Sequence, residues 1–256
     1  MDALDDNPFA RLPVPRPVDR YAYVTEHCRG KRVLDLGAYD ETEVEREQHS
    51  SWRWLHAEIA AVAKEVLGVD ASPKLKGLGS VVTSAGTRIV YGKVEYLDDI
   101  LAEFQPDVIV AGELIEHTQD TLGWLSRVAE QQPGTRIIAT TPNTTSVINV
   151  LLALLRREIA HPDHIQVYSF RTLRTLASRV PMGTLTVLPY YYNRHLFYNR
   201  VPRWASSIVT FADVLVMRPL QWLFPLLSTG LILDGVLGSV VTVTTHQQAA
   251  PAQRGS

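Results

Sequence analysis

The stretch Asp107-Val-Ile-Val-Ala-Gly112, followed directly by Glu113-Leu-Ile-Glu-His117, decides the fold. Its apolar centre is unbroken, which is typical of a strand that is covered on both faces of a parallel sheet. The change to acidic residues at Glu113 marks the carboxyl end of that strand, and open α/β sheets bind their ligands at this edge. The stretch therefore predicts an inner strand that leads into a functional loop.

Shorter apolar runs on either side of this stretch alternate with segments of helical periodicity. The other predicted strands in this part of the chain are 31–37, 67–70, 89–91 and 134–140. The predicted helices are 18–28, 47–67, 97–104 and 121–131. Because this alternation has the spacing of βαβ units, we expect a doubly wound, Rossmann-like sheet that is mostly parallel.

The remainder of the chain is less regular. It carries a helical pattern over 170–180, strand patterns over 184–190 and 239–245, and an apolar segment over 204–233. The longest uncharged part of that segment is shorter than the roughly 20 residues that cross a bilayer. We interpret the segment as amphipathic helices that cap the core. A substrate lid, a homodimer surface and a peripheral contact with lipid or membrane are the alternatives.

These patterns together predict the fold class and the domain organisation. We expect an α/β, doubly wound, seven-stranded and mostly parallel sheet with an antiparallel last strand and a helical insertion near the C-terminus. The expected organisation is an extended lead-in over 1–17, a main domain over 18–246 with the apolar helical insertion at 200–235, and a flexible tail over 247–256.

Composition narrows the function classes. With 256 residues, 46% of them hydrophobic, the chain is long enough to bury a sizeable core. A formal net charge of -2 gives no general electrostatic reason to expect a polyanion, so nucleic acid is not favoured as a partner. The single cysteine, Cys28, cannot form an internal disulfide, and residues 1–20 contain no apolar run of the signal-peptide type. We therefore expect a cytoplasmic protein.

Polar residues end the predicted strands in an ordered series. Asp35 and Gly37 close the first strand, Asp70 closes the second, Glu95 follows the third and Glu113 follows the fourth. A glycine at the first strand-to-helix turn lets backbone approach a ligand, and an acid at the end of the second strand can accept both ribose hydroxyls. Residues 37–42 lack the three-glycine spacing of a dinucleotide site, which disfavours a nicotinamide enzyme.

These segments resemble the successive motifs of class I S-adenosylmethionine-dependent methyltransferases, over roughly residues 18–190: Val33-Leu-Asp-Leu-Gly37, Gly68-Val-Asp70, Val94-Glu95, the stretch 107–117 and Thr141-Pro-Asn143. The chain departs from the family pattern at Ala38-Tyr39-Asp40, which replaces the glycine-rich continuation, and at Lys93, where an acid is frequent. The resemblance implies a methyltransferase domain and S-adenosylmethionine as the cofactor.

The resemblance also implies a set of cofactor-binding residues. Gly37 would lie beside the methionine part, Asp70 would bind the ribose hydroxyls, and the turn at Val94 and Glu95 would edge the adenine. The predicted set is completed by Asp35, Ala38, Ser72 and Glu113.

The acidic segment after the fourth strand also predicts a metal site. Glu113, Glu116 and His117 stand at i, i+3 and i+4, which places them on one face of a helical turn. A fourth ligand is available in His161-Pro-Asp-His164, and mixed carboxylate and imidazole ligation suits Mg²⁺, Mn²⁺ or another divalent ion. The alternative is that the acids only favour a helix N-terminus.

The same residues resemble those of metal-assisted 2′-O-methyltransferases of small RNAs, whose Glu-x-x-Glu-His and later Asp-His match Glu113, Glu116, His117 and Asp163-His164. That likeness favours His164 as the fourth ligand. A bound cation would lower the pKa of an acceptor hydroxyl while an imidazole takes its proton. The candidate catalytic residues are His117, His161 and Glu116.

Three functions remain open at this point. The first is O-methylation of a saccharide or another small hydroxylated acceptor, as in polysaccharide or glycolipid synthesis. The second is 2′-O-methylation of an RNA 3′ end, which would use a basic strip from Arg156, Arg157, Arg171, Arg174 and Arg179. The third is a non-catalytic protein that binds the cofactor or associates with a membrane.

Overall fold

The computed structural model describes residues 7, 9–39, 53–191, 211 and 213–238. Eight of its strands form one sheet. They are β1 (Arg32–Leu36), β2 (Glu65–Asp70), β3 (Ser80–Val82), β4 (Arg88–Tyr91), β5 (Val108–Gly112), β6 (Arg136–Pro142), β7 (Met182–Tyr190) and β8 (Gly230–Leu237).

The order of the strands is β3-β4-β2-β1-β5-β6-β8-β7. The inner pairs from β4 to β6 are parallel, whereas β3 runs antiparallel to β4, and β8 runs antiparallel to both β6 and β7. This arrangement confirms the Rossmann-like fold class. The strand number is eight instead of seven because the short run Ser80–Val82 adds an edge strand, which the sequence analysis did not identify.

The last described strand lies in the segment that was predicted as a helical insertion. β8 occupies Gly230–Leu237, so the apolar helical insertion placed at 200–235 is wrong from residue 230 onward. The strand is buried almost throughout, between β6 and β7, and a strand covered on both faces lacks the alternation that distinguishes it from a buried helix. The predicted strand 239–245 lies outside the described residues.

The described helices are α1 (Arg20–Cys28), α2 (Leu55–Ala60), α3 (Pro73–Leu78), α4 (Asp98–Phe104), α5 (Thr121–Gln131), α6 (Val147–Leu154), α7 (Phe170–Ala177) and α8 (Arg218–Leu223). A 3₁₀ turn (Ile115–His117), a π-helical turn (Asp213–Met217) and a second 3₁₀ turn (Pro225–Leu227) complete them. Among the residues described, no helix is both long and apolar enough to cross a membrane.

The helix predicted over 47–67 is wrong at its C-terminal end. Helix α2 stops at Ala60 and β2 begins at Glu65, while residues 40–52 lie outside the described part of the chain. The backbone N–H of Lys64 donates to the Lys31 carbonyl (2.9 Å), which starts the pairing of β2 with β1. Apolar residues at 62, 63 and 66 fit helical spacing, but pairing with β1 decides their conformation.

Side-chain caps fix where several helices begin. The Asp19 carboxylate accepts from Ala22 N (2.9 Å) at α1, and Ser146 Oγ accepts from Asn149 N (3.3 Å) at α6. Ser169 and Thr172 form a reciprocal capping box at α7. Such caps satisfy backbone donors that lack partners within the helix.

Each face of the sheet carries its own apolar core. Leu34 and Leu36 belong to the core that also contains Trp124 and Leu125 of α5. Val33 belongs to the opposite core, which contains residues of α1 and α2. Alternate residues of β1 are thus buried on opposite faces, as a two-sided sheet requires.

Candidate functional site

The site lies where the strand order changes direction. Strands β2 and β4 follow on one side of β1, and β5 and β6 follow on the other, so the carboxyl ends of β1 and β5 flank a topological switch point. Ligands of open α/β sheets bind in the crevice at this point. Gly37 follows the first of these strands and Glu113 follows the second.

Gly37 turns the chain sharply at this crevice. Its φ of +73° lies in the left-handed region, and its backbone N–H donates to the Val69 carbonyl at 2.9 Å. A Cβ at this position would stand 3.3 Å from Cδ1 of Leu114 in the loop after β5. Both the backbone conformation and the space therefore require glycine.

Glu113 also has a left-handed backbone, with φ of 53°, and it is not part of a helix. The predicted arrangement of Glu113, Glu116 and His117 on one helical face is therefore wrong. The helical turn begins only at Ile115, because the Glu113 N–H donates across to the carbonyl of Thr140 on β6 at 3.0 Å.

The Glu113 carboxylate is held by side chains from three other elements. Its Oε1 accepts hydrogen bonds from the hydroxyls of Thr140 (2.8 Å) and Tyr190 (2.9 Å). Arg20 Nη1 lies 3.7 Å from the same oxygen. Left-handed backbone at a non-glycine residue costs on the order of 1 kcal/mol, and these contacts offset it.

Arg20 and Tyr190 are functional candidates that the sequence analysis missed. Burial alone would lower the pKa of the Arg20 guanidinium, but Glu113 and Tyr190 raise it. Burial and Glu113 hold the pKa of Tyr190 well above its usual range, so its hydroxyl stays a donor. Arg20 is separated from Glu113 by the whole of β1 to β5, and no local pattern links the two residues.

Glu116 lies near this cluster and is buried, with 1% of its surface exposed. Within the described residues, neither of its carboxylate oxygens has a hydrogen-bond partner. Burial and the neighbouring Glu113 raise the pKa of Glu116 to about 8. Leaving a buried carboxylate without hydrogen-bond partners costs about 1–3 kcal/mol or more. A bound ligand would satisfy the carboxylate of Glu116.

Two histidines complete a group around Glu116. One ligand atom each from Glu116, His117 and His164 lies within 4.8 Å of the others. The rings of His117 and His164 meet edge to face with centroids 4.6 Å apart. Burial, together with His117 and His161, lowers the pKa of His164, so its imidazole is neutral and able to ligate at pH 7.

The group fits a divalent cation, since one carboxylate and two imidazoles are a common donor set for such ions. Of the four predicted ligands, the structure brings together Glu116, His117 and His164. Glu113 lies outside this group, because Tyr190, Thr140 and Arg20 engage its carboxylate.

His161 stands beside the group instead of in it. Its ring centroid is 6.2 Å from that of His117 and 5.9 Å from that of His164. It is largely exposed, and Nδ1 lies 3.6 Å from a carboxylate oxygen of Asp163. An exposed imidazole beside a partly buried site can exchange protons with water.

The loop that carries His164 is fastened to Glu116 through the backbone. The N–H groups of Ile165 and Gln166 donate to the Glu116 carbonyl at 3.0 and 3.1 Å. The Gln166 side-chain amide donates to the Thr118 carbonyl at 2.7 Å. These bonds bring residues distant in sequence to one place.

The predicted cofactor-binding residues occupy the ends of β1, β2 and β4. Asp70 accepts hydrogen bonds from the backbone of Tyr39 (3.0 Å) and Ser72 (2.8 Å), and Ser72 caps α3. Val94 and Glu95 form a turn after β4. These positions fit a ligand that extends across the edge of the sheet.

The other two predicted cofactor residues are buried. Ala38 is almost fully buried, and its carbonyl accepts from the indole of Trp54 at 3.1 Å. Asp35 faces His56 within the core, with Oδ2 and Nδ1 2.9 Å apart, and the other ring nitrogen of His56 lies 2.9 Å from the Thr87 hydroxyl. The buried pair of Asp35 and His56 therefore stabilises the end of β1, where the loop with Gly37 and Ala38 begins.

A cavity of about 390 Å³ opens next to Glu116. Glu116, Thr141 and His164 line it together with residues of α6 and of the loop 157–167. The cavity is of a size that small-molecule sites have. It lies on the β6 side of the switch point, away from Asp70.

Residues 10–180 match the family described as "Methyltransferase domain", and the chain belongs to that family. No curated protein matches the chain. The small RNA methyltransferase HEN1 is similar in structure, with a TM-score of 0.56 and 15% identity, over 87% of this chain and 26% of that one. A SAM-dependent methyltransferase from Thermotoga maritima has a TM-score of 0.50 and 12% identity, over 85% and 89% of the two chains.

At these identities the likeness shows the fold alone. Family membership together with the fold makes the chain a methyltransferase that depends on S-adenosylmethionine. The switch-point edge with Gly37, Asp70 and Glu113 fits this cofactor.

Proposed function

We propose that the protein transfers a methyl group to a hydroxyl of a saccharide or another small hydroxylated acceptor, assisted by a divalent cation. The observation that carries this proposal is the group of Glu116, His117 and His164, of which Glu116 and His164 line the cavity. Two imidazoles and one carboxylate suit a divalent first-row ion such as Mn²⁺ or Fe²⁺. When bound, such an ion lowers the pKa of a hydroxyl beside it.

The chemistry requires the acceptor oxygen to form a bond with the methyl carbon as the sulfonium bond to that carbon breaks. The acceptor proton must leave, and S-adenosylhomocysteine is released. Glu116 and His164 would orient the hydroxyl at the inner end of the cavity, and in-line placement supplies much of the rate enhancement.

We assign to His161 the role of the base that takes the proton from the acceptor hydroxyl. It lies beside the group, so it is free to act as a base while His117 and His164 serve as ligands. Its exposure lets it pass the proton to water. Glu113, Asp70 and the turn at Val94 and Glu95 would hold the cofactor along the carboxyl ends of β5, β2 and β4.

The test is a methylation assay with labelled S-adenosylmethionine on a panel of oligosaccharides and small polyols. We expect a product whose formation stops with a chelator and returns with Mg²⁺ or Mn²⁺. His161→Gln should slow turnover while cation binding stays intact. Absence of hydroxyl methylation under every metal condition would contradict the proposal.

RNA 3′-terminal 2′-O-methylation is a second candidate, supported by the structural likeness to HEN1. The spacing of Glu113, Glu116 and His117 matches that class, and Arg157 lies at the cavity wall. RNA contacts through arginine lose affinity steeply with added salt. RNA binding that persists unchanged at high salt, or no binding at all, would count against this candidate.

A further inference from the structure

Helix α6 exposes apolar side chains where a surface helix normally carries polar ones. Its sequence, Val147–Leu154, contains no charged residue. Leu151, Leu154 and the following Leu155 are 53%, 78% and 67% exposed. The helix is therefore anchored mainly by its first turn, where Val147 is buried.

A second group of exposed apolar residues lies over 213–227. It consists of Val214, Leu215, Val216, Trp222, Leu223, Phe224 and Leu226. The charges in this segment are paired with each other, since Arg218 Nε donates to the Asp213 carboxylate at 3.1 Å. The outward side is thus apolar without free acidic groups.

Hydrogen bonds join the two groups. The Asn143 amide donates to the carbonyls of Leu226 (2.9 Å) and Ser228 (2.8 Å), and the Thr145 hydroxyl donates to Leu226 (2.6 Å). Residues 143–145 lead directly into α6. The exposed apolar residues of 147–155 and 213–227 are hereafter the apolar surface.

Cations border the apolar surface. Arg16 stacks on Trp222, 4.0 Å from the ring centroid, and also donates to the Trp222 carbonyl. Arg156 and Arg157 follow α6, and Glu158 is the first acid after the helix. Apolar side chains bordered by arginine, with a tryptophan at the boundary, are complementary to anionic lipid head groups above hydrocarbon.

The cavity connects the apolar surface to the candidate site of methyl transfer. Val150, Ile159 and Val167 line the cavity, and each is about half exposed. Glu116 and His164 line the same cavity. One cavity thus joins the candidate site of methyl transfer to exposed apolar side chains.

We propose that the apolar surface docks on an anionic lipid bilayer, and that the acceptor hydroxyl belongs to the head group of a lipid in that bilayer. This inference rests on the proposed function, because it takes the cavity as the acceptor site. In this proposal the short helices lie along the head groups instead of crossing the bilayer.

The test measures sedimentation of the full chain with vesicles of phosphatidylcholine, with and without phosphatidylglycerol as the anionic lipid. We expect binding that requires phosphatidylglycerol. The double variant Leu154→Gln/Leu155→Gln should lose on the order of tenfold or more in vesicle affinity, because two leucines no longer enter the lipid. The matched control is Leu78→Gln/Val82→Gln, which changes equally exposed residues of α3 and β3 and should bind as the wild type does.

Calorimetry and the oligomeric state in solution separate the possible failures. Both double variants should bind S-adenosylhomocysteine with wild-type affinity by calorimetry, which shows that they are folded. Absence of vesicle binding by the wild type, or equal binding by the α6 variant, overturns the docking proposal even if soluble saccharides are methylated. A wild-type dimer that becomes monomeric in the α6 variant and binds no vesicles also overturns it, in favour of a second copy. Vesicle binding without hydroxyl methylation instead contradicts the proposed function.

Discussion

The predicted cofactor positions and the group around Glu116 differ in how far the protein satisfies its own polar groups. At the cofactor positions, Asp70 after β2 and Glu113 after β5 are both held by hydrogen bonds from neighbouring residues. In the second region, Glu116 is buried and has no such bonds within the described residues. The first region is prearranged for a ligand of fixed shape, whereas the second depends on what enters it.

The largest expected effect separates the roles of Glu113 and Glu116. Glu116→Gln and His164→Ala should each weaken Mn²⁺ binding by about a hundredfold, since each removes a ligand from the group. Glu113→Gln is the matched variant and should keep cation affinity, because Glu113 lies outside the group. Titration calorimetry with MnCl₂ measures all three. Equal loss of Mn²⁺ affinity in the three variants would place Glu113 among the ligands. It would also contradict the different roles of Glu113 and Glu116.

The next effect concerns stability in the presence of a chelator. The folded-state pKa of Glu116 is about 8 and the ordinary value is 4.5, so the folded protein binds more protons than the unfolded chain between these pH values. Stability from this group is therefore present at low pH and lost as the pH rises through about 8.

Glu116→Gln should remove this pH dependence and stabilise the protein by about 1–3 kcal/mol above pH 8, as expected for relieving an unsatisfied buried charge. Urea denaturation at acidic and alkaline pH measures the free energy of unfolding. Parallel curves for the wild type and the variant would show that Glu116 is already satisfied.

On the cofactor side, Gly37→Ala should reduce the affinity for S-adenosylhomocysteine about tenfold and destabilise the fold by about 1 kcal/mol, because it strains a left-handed turn against Leu114. Gly30→Ala is the control, since Gly30 has φ of +67° with open space around it. It should lose similar stability and keep the affinity. If both variants bind equally well, the turn at Gly37 does not contact the cofactor.

The smallest effect is expected from Tyr190→Phe, which removes one hydrogen bond to Glu113. We expect a loss of about 1 kcal/mol in stability and a few-fold weaker binding of S-adenosylhomocysteine. Tyr23→Phe removes a comparable bond, to Asp234 in the middle of β8, and should affect stability alone. Identical binding by the two variants would argue against a role of Tyr190 in positioning Glu113.

The sequence predicted the centre of the sheet well because its strands have distinct composition. The stretch before Glu113 is a buried strand, and helix α5 has the bounds that its periodicity indicates. β8 was not recognised, since its burial between two strands removes the alternation that marks strands. β3 is too short to show a pattern.

The site was predicted in part for similar reasons. His164 was found through a resemblance, and the structure brings it to Glu116 and His117. Glu113 was assigned to a helical turn from its spacing, but spacing does not show that pairing with Thr140 forces a left-handed backbone. No sequence pattern indicates a role for Arg20, because Arg20 comes close to Glu113 only when β1 and β5 have paired.

The attachment of the His164 loop to Glu116 has a consequence for divergence among relatives. Two of the bonds that hold the loop run from backbone N–H groups to a backbone carbonyl, so they place no demand on the side chains that precede His161. Mutations in residues 157–160 can therefore reshape the cavity wall while His161, the sheet and the turn after β5 stay unchanged. Acceptor preference is the property that such a loop lets evolution, or an engineer, change first.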